Sequence, residues 1–289
     1  MKTLSKMQKI PSSIGFRYTR RTTPSIFSIL APATTIAALL FVLLPIPMRA
    51  QFAYVANENN GNISAYSIGP NGALTPVPGS PFAAWIKPFS VAVEPKGKFA
   101  YVVNNGDENV LAYSIGPNGA LTPIPGSPFA AGYYPYSVAV DPTGKFLYLA
   151  NSESANVSAY SIGFDGALTR VPGSPFAAGV GLISVAVDPT SKFAYVANFG
   201  SNSVSAYRIG PNGALAPIPG SPFAAGSDPT KVAVDPMAKF AYVANGGNGA
   251  GSVSAYSIGP DGALTPIPGS PFSAGSEPVS VAITRGVSK

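Results

Sequence analysis

The chain has 289 residues, with 18 Lys and Arg against 12 Asp and Glu, no histidine and no cysteine. The basic excess lies before residue 51, because residues 1–50 hold seven basic and no acidic residues, which leaves 11 basic against 12 acidic residues in the remainder. Nucleic-acid binding needs basic charge on the folded part, so the composition excludes that class. The lack of cysteine excludes disulfides and thiolate metal sites.

Residues 1–50 have the pattern of a signal peptide or membrane anchor. Basic residues are followed by an uncharged stretch, 22–48, whose most apolar run is 36–44. This run is short of the about 20 residues that span a bilayer, which favours a secretory signal peptide. An uncleaved anchor across 22–48 is the alternative. Either predicts an extracytoplasmic protein (periplasmic, secreted or at the cell surface), with residues 51–289 as the folded domain.

Five near-copies of one unit follow. The aromatic residue that opens each FAYVAN-like run recurs at a constant step of 47 residues, at Phe52, Phe99, Phe146, Phe193 and Phe240. Within residues 88–135 the unit has four strand-like segments, SVAVEP, FAYVVN, VLAYSIG and LTPIPGSPF, separated by turn residues. A repeat therefore governs the fold.

The second segment predicts how the units pack. In FAYVVN, residues on both faces of the strand are apolar. A sheet that is apolar on both faces must be covered on both. Four-stranded sheets packed around an axis meet this demand, and the period is typical of propellers. The sequence therefore predicts an all-β, five-bladed β-propeller of four-stranded antiparallel blades.

The fourth segment is predicted to be the outer edge of each blade, because proline cannot donate to a sheet ladder. The phenylalanine after its prolines is predicted to fill the gap between blades. These residues are Phe82, Phe129, Phe176, Phe223 and Phe272.

The order of segments predicts how the ring closes. The domain opens on a second strand at Phe52 and ends on SVAIT, Ser280–Thr284, which repeats a first strand. Three strands from the beginning and one from the end would complete one blade. We therefore expect a ring of five closed by this three-plus-one join.

These segments resemble a known family. PYSVAVDPTGKFLYLAN (Pro135–Asn151) and VSAYSIGFDGALTRVPGSPF (Val157–Phe176) are similar to the YVTN-type, lactonase-like propellers, which include 6-phosphogluconolactonase. The resemblance covers about residues 52–285 and implies a propeller and the hydrolysis of a sugar lactone. Two features depart from it: the family's lactonases usually have seven blades, and they use arginine, carboxylate and sometimes histidine around the channel, whereas this chain encodes five blades and no histidine.

Comparing the units locates a candidate binding surface. The turns between segments 1 and 2 and between segments 3 and 4 are nearly uniform, whereas the loops between segments 2 and 3 and the linkers between units vary. In antiparallel blades both variable sets emerge at one end, which predicts a binding face. The alternative is that these loops are merely unconstrained. Aromatic residues suited to sugar or peptide ligands are Trp85, Phe89, Tyr133, Tyr134, Tyr136 and Phe199; alternatively, some of them fill blade interfaces.

Charged residues on the same face are candidates for catalysis. Lactone hydrolysis needs a base and an oxyanion stabiliser, and the candidates are Glu277, Asp228, Lys231 and Lys87. No spacing sets a pair apart. Four acidic residues at the ends of first segments could instead form a cation site, although an Asp-Pro pair commonly starts a turn. They are Glu94, Asp141, Asp188 and Asp235.

Together these features predict an exported ligand-binding or interaction scaffold for a carbohydrate, lactone or peptide. We expect a monomer, no cofactor, no metal and no nucleic-acid partner, with membrane contact only through residues 22–48 if they are retained. A sugar-lactone hydrolase is the alternative, and a structural cell-surface repeat protein is the second alternative.

Overall fold

Short strands rich in valine, tyrosine and phenylalanine form five antiparallel sheets in the computed structural model, which describes residues 50–247 and 250–284. We call these sheets blades 1 to 5. Blade 1 contains β1 (Gln51–Asn57), β2 (Asn62–Ile68), β3 (Leu74–Pro76) and β4 (Phe82–Ala83). Blade 2 contains β5 (Pro88–Val93), β6 (Phe99–Asn104), β7 (Asn109–Ile115), β8 (Leu121–Pro123) and β9 (Phe129–Ala130). Blade 3 contains β10 (Pro135–Val140), β11 (Phe146–Asn151), β12 (Asn156–Ile162), β13 (Leu168–Arg170) and β14 (Phe176–Ala177).

The last two blades repeat this order. Blade 4 contains β15 (Leu182–Val187), β16 (Phe193–Asn198), β17 (Ser203–Ile209), β18 (Leu215–Pro217) and β19 (Phe223–Ala224). Blade 5 contains β20 (Pro229–Val234), β21 (Phe240–Asn245), β22 (Ser252–Ile258), β23 (Leu264–Pro266) and β24 (Phe272–Ser273). Short 3-10 helices follow β1 and β16, at Glu58–Asn60 and Phe199–Ser201.

Within each complete blade the strands follow the chain from the inside outwards: an inner strand, a second strand, a third strand and an outer edge. The edge consists of two short pieces that both pair with the third strand, as β8 and β9 do with β7. The proline-rich segment therefore lies at the outer edge, as predicted. It is broken in the middle because its prolines cannot supply a continuous row of N–H donors.

Adjacent blades bury apolar side chains between them. Between blades 3 and 4, Tyr148 and Val157 pack with Val185, Tyr207 and Leu215. The phenylalanine of the edge packs partly buried against such a core in blades 1 to 4, as predicted. Phe272 of blade 5 is instead exposed. The five-bladed architecture with antiparallel blades is confirmed.

Two tyrosine hydrogen bonds join each pair of neighbouring blades, and we call them the tyrosine pair. The second-strand tyrosine donates to a glycine carbonyl in the following blade, and the third-strand tyrosine donates to an alanine carbonyl in the preceding one. The first set is Tyr54 to Gly119 (2.9 Å), Tyr101 to Gly166, Tyr148 to Gly213 and Tyr195 to Gly262 (each 3.0 Å). The second set is Tyr113 to Ala83 (2.6 Å), Tyr160 to Ala130, Tyr207 to Ala177 (2.5 Å) and Tyr256 to Ala224 (2.5 Å). Burial raises the pKa of all eight hydroxyls, for example to about 12 at Tyr113 and Tyr207.

The predicted three-plus-one join is not formed, which corrects the expected closure. Residues 280–284 adopt no strand, and β1 pairs only with β2 among the described residues. The faces that would meet in a closed ring remain exposed, as at Leu74 of blade 1 and Phe240 of blade 5, so the described blades form an open arc.

The segment predicted to be a signal peptide or anchor, 1–50, lies almost wholly outside the described residues. Among the residues that are described, no helix is long and apolar enough to cross a membrane.

Candidate functional site

The variable loops and the variable linkers emerge at the same end of the strands, as predicted. We call this end the varied face and the opposite end, with its repeated turns, the uniform face. The loops of the varied face are tied to the linkers at one repeated position. The main-chain N–H groups of Ile86, Tyr133 and Val180 donate to Asp107, Ser154 and Ser201 (2.7, 2.8 and 2.6 Å). The chemistry of the acceptor varies while its role stays the same.

In each of blades 2 to 5, a β-bulge at the start of the inner strand leaves one residue out of register at the varied face. The interruptions lie between Pro88 and Ser90 in blade 2 and at the equivalent places in blades 3 to 5. Bulges commonly re-aim a side chain next to a functional site. The four bulged residues are Phe89, Tyr136, Ile183 and Thr230. Neighbouring inner strands contact each other, so these four residues form a row. We call this row, together with Lys231, the inner mouth.

Two predicted ligand-binding residues meet in the inner mouth. The rings of Phe89 and Tyr136 contact edge to face, with centroids 4.6 Å apart and an interplanar angle of 67°. Phe89 is exposed and Tyr136 is half-buried. Together they form an aromatic surface that spans blades 2 and 3. The sequence analysis did not identify Ile183 and Thr230, which share this row, although aligning the inner strands of the five units would have found them.

The other predicted aromatic residues lie outside this row. Trp85, Tyr133 and Tyr134 are exposed in the linkers, and Phe199 is exposed in the 3-10 helix of blade 4. Together with Phe89, five of the six are exposed, and Tyr136 is half-buried.

Lys231 breaks the inner-strand repeat. At the same position in the other blades the hydroxyls of Ser90, Ser137 and Ser184 accept the main-chain N–H of the next blade's valine, at 3.4, 3.2 and 3.3 Å. Blade 5 replaces this serine by a lysine whose side chain is half-buried. Burial lowers the pKa of its amine. Next to it, the Thr230 hydroxyl donates to the carbonyl of Pro278 at 2.7 Å.

The remaining catalytic candidates share one position in the repeat and do not converge. Lys87, Asp228 and Glu277 each precede the first residue of an inner strand or its equivalent, and all have left-handed backbone (φ 54°, 52° and 48°). The carbonyls of Lys87 and Asp228 accept the N–H groups of Asn105 and Gly246, at 2.9 and 2.8 Å. Lys87 and Glu277 are exposed and Asp228 is half-buried. Asp228 and Lys231 lie in blade 5, whereas Lys87 lies three blades away.

The acidic residues at the ends of the inner strands are turn elements. The carboxylate of Asp188 accepts the N–H groups of Thr190, Lys192 and Phe193 (2.9, 2.7 and 2.7 Å) together with the Thr190 hydroxyl. Asp141 accepts the same four hydrogen bonds in its own blade. Asp235 accepts three N–H groups and Glu94 accepts two. Within the described ranges no cluster of acidic residues could hold a metal ion.

The asparagine that ends each second strand joins it to the third strand. Asn57 and Asn198 are extended, with φ −107° and −103°. Their amides bridge to the third strand, as Asn198 does to Ser203 and Ser205 (3.1 and 2.9 Å). These asparagines thus stabilise the blade beneath the varied face.

The sequence and the fold are similar to those of known proteins. Residues 47–179 match the family model described as "Lactonase, 7-bladed beta-propeller", and no curated protein matches the sequence. Among solved structures, a functionally unknown protein from Desulfotomaculum acetoxidans gives a TM-score of 0.64 at 17% identity, over 75% of this chain and 65% of that one. A Bacteroides uniformis protein described as a candidate 6-phosphogluconolactonase gives 0.69 at 20% identity, over 80% and 70%. The periplasmic gluconolactonase of Pseudomonas aeruginosa gives 0.67 at 17% identity, over 79% and 68%.

The chain is a lactonase-like β-propeller. At these identities the likeness to solved structures establishes the fold and not the reaction. The lactonase-like chain spans slightly under two thirds of the first of these structures.

One cavity of this lactonase-like propeller lies away from the inner mouth. It measures about 790 Å³ and lies between blades 1 and 2 at the uniform face, where Phe52, Tyr54 and Lys98 are among its lining residues. Blade 1 has no inner strand beside β1, which leaves this space open. The cavity lies at the opposite end of the strands from the inner mouth, which remains the candidate site.

Proposed function

We propose that the protein hydrolyses a sugar lactone at the inner mouth. The observation that carries this proposal is Lys231, which replaces the inner-strand serine of the other blades with a half-buried amine of lowered pKa. The lactonase-like fold and the gluconolactonase among its structural neighbours support the substrate class.

The chemistry requires one group that moves a proton twice. As water bonds to the lactone carbonyl carbon, the neutral amine of Lys231 accepts the water's proton. The ring C–O bond then breaks, and the resulting ammonium returns the proton to the departing alkoxide, which yields the open hydroxy acid. A lowered pKa keeps more of the amine neutral near physiological pH, as a general base requires.

Other residues of the inner mouth and of its linkers would hold the sugar. The aromatic surface of Phe89 and Tyr136 offers an apolar wall for the C–H face of a sugar ring. Asp228, three residues before Lys231, would accept hydrogen bonds from sugar hydroxyls. Asp228 is the better candidate of the two carboxylates because it is half-buried, whereas Glu277 is exposed.

The test is hydrolysis of a panel of sugar lactones, including 6-phosphogluconolactone, by the full chain, followed as acid release at constant pH with the spontaneous rate subtracted. Lys231→Ser restores the residue of the other blades, and we expect it to lower kcat/KM by about 100-fold or more. The matched control is Lys145→Ser, which removes the same charge from an exposed turn at the uniform face and should leave the rate unchanged.

Two results would overturn the proposal. One is the absence of turnover above background on every lactone. The other is turnover that Lys231→Ser leaves intact, which would place the reaction elsewhere. Retained activity in Asp228→Asn with a raised KM would keep Lys231 as the base and assign Asp228 to binding.

A second candidate is binding of a carbohydrate or peptide without turnover, because five aromatic side chains are exposed on the varied face. It predicts that glycans or peptides quench the fluorescence of Trp85, the only tryptophan of the chain, and that Tyr133→Ala weakens this binding. Under both candidates we propose that the protein is exported, as the basic and then apolar pattern of residues 1–50 indicates. Cell fractionation that finds the mature chain in the cytoplasm would contradict export.

A further inference from the structure

Blades 1 and 5 each expose an apolar face of a kind that the interior blades bury. Leu74 of blade 1 is 55% exposed, whereas the same position in blades 2 to 5 is 4 to 7% exposed. Val55 is 46% exposed, whereas its equivalent Val102 is fully buried. At the other end of the arc Phe240 is 37% exposed, against 6% at Phe193. We call Val55, Tyr66, Gly72 and Leu74 the blade-1 face, and Phe240, Tyr242 and Phe272 the blade-5 face.

The two faces carry opposite halves of the interior interface. Tyr242 occupies the position of the second-strand tyrosines that donate to a glycine carbonyl in the following blade, and Gly72 occupies the position of that glycine. Tyr66 likewise corresponds to the third-strand tyrosines, and Ser273 corresponds to the alanines whose carbonyls accept from them. One blade-5 face and one blade-1 face together hold a complete tyrosine pair.

Space at Gly72 supports the same match. A Cβ at Gly119, Gly166, Gly213 or Gly262 would collide with the phenylalanine of the preceding blade. A Cβ at Gly72 would meet nothing within 4 Å. The blade-1 face therefore has an open place for a phenylalanine such as Phe240.

The strand edges match as well. β1 uses one edge to pair with β2, and its other edge is unpaired among the described residues. Residues 278–283, PVSVAI, repeat the inner-strand sequence PYSVAV of β10. By the register of β10 with β11, in which Pro135 lies opposite Asn151, Pro278 would lie opposite Asn57 of a β1 edge. An exposed strand edge is a ready template for pairing with another chain.

We propose that a second copy of this chain docks its blade-1 face on the blade-5 face of the first, head to tail, as one more copy of the interior interface. The partner is a second copy because the two faces of one molecule stay exposed and do not cover each other. Contact within one molecule would require the close-packed interfaces between blades to rearrange. A second copy carries the matching face without such a change, in place of the monomer expected from the sequence.

A head-to-tail contact differs from a symmetric dimer in the faces that it leaves free. It uses one face of each molecule, so each end of the pair still presents a free face, and further copies add unless the assembly closes into a ring. The proposal therefore predicts a molecular mass that rises with protein concentration.

The test is sedimentation velocity on the full chain over a wide concentration range, with two single variants. Leu74→Asp places a charge on the blade-1 face, and Phe240→Asp places one on the blade-5 face. Burial of an unpaired charge in an interface is unfavourable, so each variant alone should remain monomeric where the unmodified chain associates, with a dissociation constant at least about tenfold higher. Phe164→Asp, at a position that is 99% exposed in blade 3, is the matched control and should associate normally.

Mixing the two variants gives the decisive result. Leu74→Asp retains an intact blade-5 face and Phe240→Asp retains an intact blade-1 face, so an equimolar mixture should form a one-to-one dimer and grow no further. A chain that is monomeric at every concentration would overturn the proposal and favour closure within one molecule. A single variant that still dimerises would overturn it in favour of a symmetric contact between like faces.

Discussion

The uniform face and the varied face lie at opposite ends of the same strands and obtain their hydrogen bonds differently. At the uniform face, the inner turn of blade 4 closes on one buried carboxylate, Asp188, which accepts four hydrogen bonds. At the varied face, the linker N–H of Ile86 needs only one acceptor, which Asp107 provides. The sequences of the units are thus most uniform where one buried group accepts many hydrogen bonds. They vary where any single acceptor is sufficient.

The largest expected effect is alkaline unfolding, because the tyrosine pairs connect blades near both faces. Their folded pKa values are raised above the usual 10.0, for example to about 12 at Tyr54. Folding therefore favours the protonated hydroxyl, and its stabilisation, complete below pH 10, is lost as pH rises toward the folded pKa values. We expect cooperative unfolding between about pH 10 and pH 12, measured by circular dichroism together with tyrosinate absorbance. Phenolates that form while the sheets persist would contradict it.

The next largest effect is Asp188→Ala. It removes the acceptor of three main-chain N–H groups and one hydroxyl, so we expect a loss of about 3 kcal/mol or more in the free energy of unfolding. Asp107→Ala at the varied face removes one hydrogen bond and should cost about 1 kcal/mol or less. Urea denaturation of both variants tests the comparison, and equal losses would refute the difference between the faces.

A smaller effect is expected for Tyr148→Phe. The change leaves the buried Gly213 carbonyl without its donor, at a cost of about 1–2 kcal/mol. Tyr133→Phe alters a hydroxyl on an exposed side chain of the varied face, and should fall within about 0.5 kcal/mol of the unmodified chain. Thermal midpoints measured side by side decide between the two, and a Tyr133→Phe loss as large as that of Tyr148→Phe would show that the varied face is also structural.

The smallest effect on stability is expected for Lys231→Ser, which should stabilise the chain, whereas the substitutions above should destabilise it. Burial lowers the folded pKa of this amine, so the unfolded chain binds more protons between that pKa and 10.5. Stability of the unmodified chain therefore rises with pH through this window. The variant should be more stable at neutral pH by a few tenths of a kcal/mol and should lack this rise, as urea midpoints at several pH values would show. A less stable variant would mean that the amine has a partner that offsets its burial.

The sequence predicted the features that depend on local strand pairing. The 47-residue step and the alternating apolar residues placed the strands, and the prolines placed the outer edge, because both depend on rules of strand pairing. Closure could not be predicted in this way. The order of the strands along the chain shows which strand edges could pair. Whether those edges meet depends on the angle between blades, and that angle depends on how side chains such as Tyr148 and Leu215 pack.

The candidate site was predicted only in part for the same reason. Exposed aromatic residues on the varied face follow from the position of the loops. The left-handed backbone of Lys87, Asp228 and Glu277 is uncommon for residues other than glycine, and the linker that imposes it can be recognised only in three dimensions. The serine-to-lysine change at Lys231 was visible in the aligned units, but its burial was not.

In each of blades 2 to 5, one glycine lies beneath a phenylalanine of the preceding blade. Because Gly119, Gly166, Gly213 and Gly262 offer nearly the same surface to Phe52, Phe99, Phe146 and Phe193, this contact does not distinguish a blade's own neighbour from another blade. At this contact, blade order depends on the short linkers and not on recognition between surfaces. During folding, a blade that skips its neighbour finds an equally complementary wrong one, and the chain must rely on the proximity of adjacent units to avoid that error.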